Sequence, residues 1–179
     1  EQMHPASMSK LMTLEMLFNA LRDGTVSMDD EFKISEYAWR AGGAASGSST
    51  MFADLNSTVP VHAILRGIIV QSGNDACIAT AEALSGSEAA VAEAMTERGK
   101  EIGLTNSEFT NSTGWPHPDH LMTAHDLAVL ARHLIMDFPE YYPMFKETDF
   151  TWNGIKQGNR NPALYLDPSV DGLKTGHTE

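Results

Sequence analysis

Stretches of helical periodicity alternate along this chain with short polar interruptions. Met8, Leu11, Met12, Leu14, Leu17, Phe18 and Leu21 recur at helical spacing, predicting a first helix from near Ser7 to about Arg22, stopped by Gly24. Pro60 suits the first turn of a second helix, carried by Ala63, Ile64, Leu65 and Ile68 to Val70. That helix should break at Ser72-Gly73-Asn74 and resume from Asp75 to Leu84. Ser87 is placed to cap a helix over 88–102, ended by Gly103. Thr123-Ala124-His125-Asp126 has the form of a capping box, Asp standing in for Glu, and opens a helix to about Met136. Residues 41–49 are rich in Gly, Ala and Ser. Their short length and the apolar Met51-Phe52 that follows predict a surface loop within one domain, not an interdomain linker.

The pattern changes beyond Asp149. Phe150-Thr151-Trp152, the turn pair Asn153-Gly154 and then Ile155 predict a hairpin, and residues 170–177 read as a strand. There is no internal repeat and no sign of a second domain.

Composition narrows the class without naming a function. Hydrophobic residues make up 42% of the 179 and charged residues 20%, as in a globular domain with a real core. The net charge of −12 argues against nucleic acid, which needs a basic face, although a local lysine cluster could still hold an anionic substrate. The single cysteine, Cys77, cannot form an internal disulfide and reads as a small buried hydrophobe. No apolar run reaches the length of a membrane span, and no signal peptide is visible. The chain is already inside a motif at Ser7 and stops shortly after Gly176, which predicts an excised fragment of a longer protein.

Three short words carry chemistry: Ser7-Met8-Ser9-Lys10, Ser72-Gly73-Asn74 and Lys174-Thr175-Gly176. In the first, a spacing of three on a helix puts serine and lysine on one face. A serine hydroxyl needs a base to become a nucleophile, and a lysine serves only if burial or a second cation lowers its pKa. The positive field of a helix N-terminus would favour the developing alkoxide. In the second word, Ser72 could relay a proton between Lys10 and a leaving amine, and the Asn74 amide could hold a substrate carbonyl. In the third, Gly176 lets a substrate approach the backbone, while Lys174 and Thr175 suit a carboxylate and Lys174 would help keep Lys10 neutral. Taken singly, each word has a plain structural reading: an N-cap with a solvated lysine, a tight turn, a surface strand. Ordered as a trio, they describe the site of serine acyl-transfer enzymes.

Longer words extend the match: residues 5–13, Ile64-Leu65-Arg66-Gly67-Ile68, residues 71–77, Phe150 to Ile155, Asn159-Arg160-Asn161 and residues 170–178. On these the whole chain resembles the low-molecular-mass penicillin-binding proteins, the serine-type D-alanyl-D-alanine carboxypeptidases. The resemblance implies an α/β (α+β) fold of the β-lactamase/transpeptidase type. Such a fold has an antiparallel sheet flanked by helices and an all-helical part, and this chain would lack strands at both ends, making residues 1–179 a partial catalytic domain. It implies Ser7 as the acylated nucleophile, Lys10 as its base, and Ser72 and Asn74 across the cleft. Lys174, Thr175 and Gly176 would bind the terminal carboxylate, and the backbone N–H groups of Ser7 and His177 would form the oxyanion hole. The implied substrate is a peptidoglycan stem peptide ending in D-Ala-D-Ala, with β-lactams as inhibitors and no metal or organic cofactor. The implied location is the periplasm or outer face, with membrane attachment only through a C-terminal part.

Two neighbouring readings share the acylation site. A class A-like β-lactamase would need a carboxylate between the second and third words. Glu140 and Glu147 lie there, but not in a Glu-x-x-Leu-Asn context, and Gly73 replaces the Asp of the β-lactamase word. A non-catalytic β-lactam sensor would acylate and stall. His117, His120 and His125 raise a zinc question, but Pro116 and Pro118 make that segment a loop without an acidic second shell, and it reads as surface.

Overall fold

A computed structural model describes residues 1–177, so Thr178 of the last motif word and Glu179 lie outside the described residues. In chain order the elements are β1 (Gln2–Met3), α1 (Lys10–Asp23), β2 (Glu31–Lys33), α2 (Glu36–Gly42), β3 (Thr58–Pro60) and α3 (Val61–Ile69). There follow α4 (Asn74–Ser85), α5 (Glu88–Glu101), β4 (Met122–Thr123), α6 (Ala124–Asp137), β5 (Asp149–Trp152), β6 (Ile155–Gly158) and α7 (Ala163–Leu166). Short 3-10 turns occupy Ala6–Ser9, Ala44–Ser46 and Tyr142–Lys146.

The helices form where pattern and caps predict. Ser87 accepts from the Ala90 amide, Thr123 from the Asp126 amide, and Gly24 ends α1 in the left-handed region. α3 is buried on nearly every side, and its Ile64, Leu65 and Ile68 are fully enclosed; each such side chain stabilises the fold by about 1.5–3 kcal/mol. α4 packs beside it, and α1 lays Met12, Leu14, Leu17 and Phe18 into the same core. Phe18 anchors an aromatic cluster with Tyr141 at 5.0 Å and Phe138 at 5.6 Å between ring centres. The carboxylate of Glu15 joins α1 to α5 and α6, its Oε1 accepting from Arg98 and lying 3.0 Å from His133 Nε2.

The described strands pair as three separate antiparallel ribbons, β1 with β4, β2 with β3 and β5 with β6. β5 and β6 are the expected hairpin, with Trp152 opposite Ile155 across Asn153-Gly154, both at positive φ. Three expectations differ from what forms. Residues 170–177 run without strand structure: a strand is defined by its ladder partner, and no described segment pairs with them. The capping box at Thr123 is half a box, because the Asp126 carboxylate turns to the Asn106 amide and the Ser107 hydroxyl. α2 was not expected; Ser35 caps it by accepting from the Ala38 amide.

Candidate active site

Ser7 lies in the 3-10 turn of residues 6–9, and Lys10 opens α1 one turn later. Their side chains meet, Lys10 Nζ to Ser7 Oγ, at 2.8 Å. Neither half of the plain reading holds here: Ser7 caps nothing, and Lys10 is closed to solvent at 1% exposure. Burial pulls the Lys10 ammonium below the ordinary lysine range, opposed by the fields of Cys77 and Asp75. A neutral amine 2.8 Å from a hydroxyl is placed to take its proton.

Ser72 occupies the break between α3 and α4, buried and with φ of 55°. Ala6, just before Ser7, also stands in the left-handed region, at φ 52°. Each such non-glycine residue costs on the order of 1 kcal/mol, so both sides of the site are built on backbone that its surroundings hold in place. The sequence set Ser72 between Lys10 and a leaving amine; the hydrogen bond it makes is from Lys174 Nζ, at 3.0 Å. Lys174 also donates to the Thr175 carbonyl at 3.1 Å. Its pKa is drawn down to about 7, first by burial of the ammonium and then by repulsion from Lys10, with a smaller push from Arg160. The Lys10–Ser7 and Lys174–Ser72 contacts thus belong to one group, and the field of Lys10 is one of the causes that lower Lys174.

A cleft of about 490 Å³ opens on this group, lined among others by Ser7, Lys10, Asn74, Trp115 and His177. Ser46 to Ser49 form one wall, so the stretch expected as a plain surface loop belongs to the site. Asn74 Nδ2 donates to Ser48 Oγ at 3.0 Å, while its buried Oδ1 has no partner. Asp75, the next residue, points the other way: its carboxylate accepts from the Thr50 hydroxyl and from the amides of Met51, Ala53 and Ala76. That grip ties the wall to the start of α4, and burial raises the Asp75 pKa against the four bonds. Cys77, one turn on, is fully enclosed, and burial pushes its thiol up to about 12.

The last motif word reaches the nucleophile through backbone. Thr175 is half-buried and Gly176 exposed beside it. A Cβ on Gly176 would stand 2.9 Å from the Pro5 carbonyl oxygen and 3.0 Å from the Met8 amide nitrogen. Only a glycine lets this segment lie against the turn that carries Ser7. Gly114 closes the turn from the other side: at φ +83°, a Cβ there would meet the Ala6 carbonyl oxygen at 2.0 Å.

Sequence reasoning missed His120. It was expected on the surface, yet it is 1% exposed, with Nε2 3.0 Å from Ser9 Oγ and Nδ1 accepting from the Thr110 amide at 3.1 Å. The Pro-flanked loop around it hid this, since only tertiary packing buries the ring. The three histidines do not gather with other ligands into a metal-binding group among the described residues. Glu140 and Glu147, weighed as β-lactamase carboxylates, are engaged elsewhere: Glu147 grips Arg66 at 2.9 and 3.0 Å, and Glu140 faces Arg22 at 3.5 Å.

Residues 1–179 match the peptidase family described as D-alanyl-D-alanine carboxypeptidase, and the chain belongs to that family. It is 42% identical over 179 residues to the D-alanyl-D-alanine carboxypeptidase DacA of Haemophilus influenzae, covering 99% of this chain and 45% of that protein. Its structure is similar to penicillin binding protein 5 from Haemophilus influenzae, with a TM-score of 0.94 over 99% of this chain and 52% of that one, at 42% identity. It is also similar to ampicillin-bound penicillin-binding protein D2 from Listeria monocytogenes, with a TM-score of 0.79, 26% identity, and coverage of 100% and 71%. The chain spans about half the length of the curated relatives it matches.

Proposed function

We propose that residues 1–179 supply the acylating part of a serine D-alanyl-D-alanine carboxypeptidase. The observation that carries this reading is the buried Lys10 amine, lowered in pKa and 2.8 Å from Ser7 Oγ, opposite the Lys174–Ser72 pair. Ser7 Oγ attacks the carbonyl of the penultimate D-Ala while Lys10 takes the hydroxyl proton. The tetrahedral oxyanion is held by the backbone N–H groups of Ser7 and His177. The C–N bond then breaks, and Ser72 passes a proton to the departing D-Ala amine. Lys174 and Thr175 hold the terminal carboxylate, Gly176 admits the peptide to the backbone, and Asn74 fixes the acyl-side amide. Water hydrolyses the acyl-enzyme. A β-lactam, which mimics the dipeptide, acylates the same serine.

These roles belong to an enzyme acting on peptidoglycan peptides outside the cytoplasm. No helix among the described residues is long and apolar enough to cross a membrane. The engagement of Glu140 and Glu147 with arginines favours this reading over a class A-like β-lactamase. The deciding experiment measures release of D-Ala from a cell-wall pentapeptide by the full-length protein, alongside labelling by a fluorescent penicillin. D-Ala release with labelling lost in Ser7→Ala is expected. Rapid turnover of penicillin would make it a β-lactamase, a stalled acyl-enzyme without D-Ala release a sensor, and labelling that survives Ser7→Ala would overturn the nucleophile.

A further inference from the structure

The cleft wall of Ser46 to Ser49 runs on into residues 50–53, which form neither helix nor strand. Their backbone groups are nonetheless bonded on two sides. On the buried side the amides of Met51 and Ala53 donate to the Asp75 carboxylate, and the Phe52 amide donates to the Thr50 hydroxyl. The carbonyls are taken by the β5–β6 hairpin. Asn153 Nδ2 donates to the Phe52 carbonyl at 2.8 Å, and Gln157 Nε2 donates to the Thr50 carbonyl at 2.9 Å.

Phe52 needs such a hold. Its φ of 63° lies in the left-handed region, where a bulky side chain is a rare occupant, so the backbone stays there only while its neighbours fix it. The hairpin is a firm support for three reasons. Asn153 and Gly154, both at positive φ, close its two-residue turn. Gln71, beside Ser72, donates from Nε2 to the Phe150 carbonyl at 3.0 Å and ties β5 to the break between α3 and α4. Gln157 is itself oriented, because its Oε1 accepts from Arg160 at 3.0 Å and leaves Nε2 for Thr50.

The segment so held reaches the site through Asn74. The Ser49 carbonyl accepts from the Asn74 backbone amide at 2.8 Å, and Ser48 Oγ accepts from Asn74 Nδ2 at 3.0 Å. That leaves the buried Oδ1 without a partner, open to an incoming amide N–H.

We propose that Asn153 and Gln157 are positioning residues: through the carbonyls of Phe52 and Thr50 they set the wall that aims the Asn74 side chain at the acyl-side amide. The proposal rests on the carboxypeptidase reading only for the role of Asn74. It gives the hairpin a share in recognising the acyl side, although neither residue lines the cleft.

The test compares two β-lactams in the full-length protein: benzylpenicillin, which carries an acyl-side amide, and 6-aminopenicillanic acid, which does not. The rate at which each blocks Ser7 is read as the loss of sites left for a fluorescent penicillin, and the two rates are compared within each variant. Asn153→Asp keeps a residue suited to the turn, but its ionised carboxylate has no proton to donate. Gln157→Glu keeps the Arg160 contact and likewise loses the donor. Each should lower the benzylpenicillin rate about fivefold, the size of one hydrogen bond, and leave the 6-aminopenicillanic acid rate within about twofold of the parent. Lys156→Gln, on the same hairpin but paired only with Asp149, should leave both rates unchanged. Equal slowing of the two compounds would make the hairpin a general support of the fold and overturn the proposal. A ratio unchanged in both variants, or shifted as far by Lys156→Gln, would overturn it as well. D-Ala release by the parent is measured separately. Its absence, with the ratios shifted as expected, would sink the carboxypeptidase reading and leave the positioning role standing.

Discussion

Ser9 Oγ and His120 Nε2 meet at 3.0 Å in the interior, 111 residues apart in the chain. Because Nδ1 already accepts from the Thr110 amide, the ring proton is on Nε2, and the histidine donates to Ser9. A neutral imidazole therefore fastens the loop that carries Gly114 and Trp115 to the turn that carries Ser7. Burial holds its pKa down to about 4, with His117 and His4 adding to the effect.

The sign of the consequence follows from linkage. As pH falls through 6.5 the unfolded chain protonates this histidine while the folded one does not, so stability is lost between 6.5 and about 4. Between pH 7 and pH 5 the loss from this residue should be about 2 kcal/mol. Denaturant titrations of the parent and His120→Gln check it: the variant should show an acid limb flatter by that amount. Parallel limbs would mean that His120 titrates normally.

Lys10 bears on rate more than on stability. Lys10→Met keeps the volume and removes the amine, so penicillin labelling of Ser7 should slow by about 10²–10⁴-fold. Melting should stay level or rise, because a buried amine forgoes hydration that methionine never had. Labelling within tenfold of the parent rate would remove Lys10 from the role of base.

Lys174 should titrate with a midpoint near 7 in the free protein. Isotope-labelled lysine side chains, assigned by Lys174→Arg, give the direct reading by NMR. A bound carboxylate favours the charged form and should move the midpoint upward. Since the folded value lies below the unfolded 10.5, the unfolded chain holds more protons between about 7 and 10.5. The contribution of Lys174 to stability therefore rises with pH across that window. A midpoint near 10 in the free protein would contradict the burial that lowers this lysine and the field of Lys10 that adds to it.

Gly114→Ala sets a methyl group 2.0 Å from the Ala6 carbonyl oxygen at a left-handed φ, and neither backbone can yield without moving Ser7. The variant should lose about 3 kcal/mol or more and label slowly. Gly154→Ala, at φ +73° with nothing within 4 Å, is the control and should cost only about 1 kcal/mol. Equal melting losses in the two variants would show that the close approach at Gly114 is not what matters.

What the sequence disclosed follows from how local each signal is. The helices α1, α3, α4, α5 and α6 were legible because periodicity acts within a few residues, helped by the Gly24 stop of α1 and by the Ser87 and Thr123 caps of α5 and α6. α2 was overlooked although Ser35 followed by Glu36 is a start signal, because only Ala38 and Gly42 of its seven residues are buried and no apolar stripe shows. The segment after Val170 has strand composition, but strand structure requires a partner, which composition does not reveal. Among site residues, Ser7 and Lys10 are neighbours by helical geometry alone. The Lys174–Ser72 contact joins residues 102 apart; motif order put the two words at one site, but nothing in the sequence paired these two side chains.

The enclosure of Cys77 has a practical side. A thiol with no exposure and a pKa near 12 presents almost no thiolate, and no alkylating reagent reaches it while α4 remains packed. Modification must wait for the interior to open. In a chain with a single cysteine, each molecule that opens is then counted once. Where reclosing outpaces the reagent, the alkylation rate reports the free energy of opening; where the reagent wins, it reports the opening rate itself. The native sequence thus carries its own stopwatch. Anything that tightens the core around α4 would be seen as a longer wait before the thiol is lost.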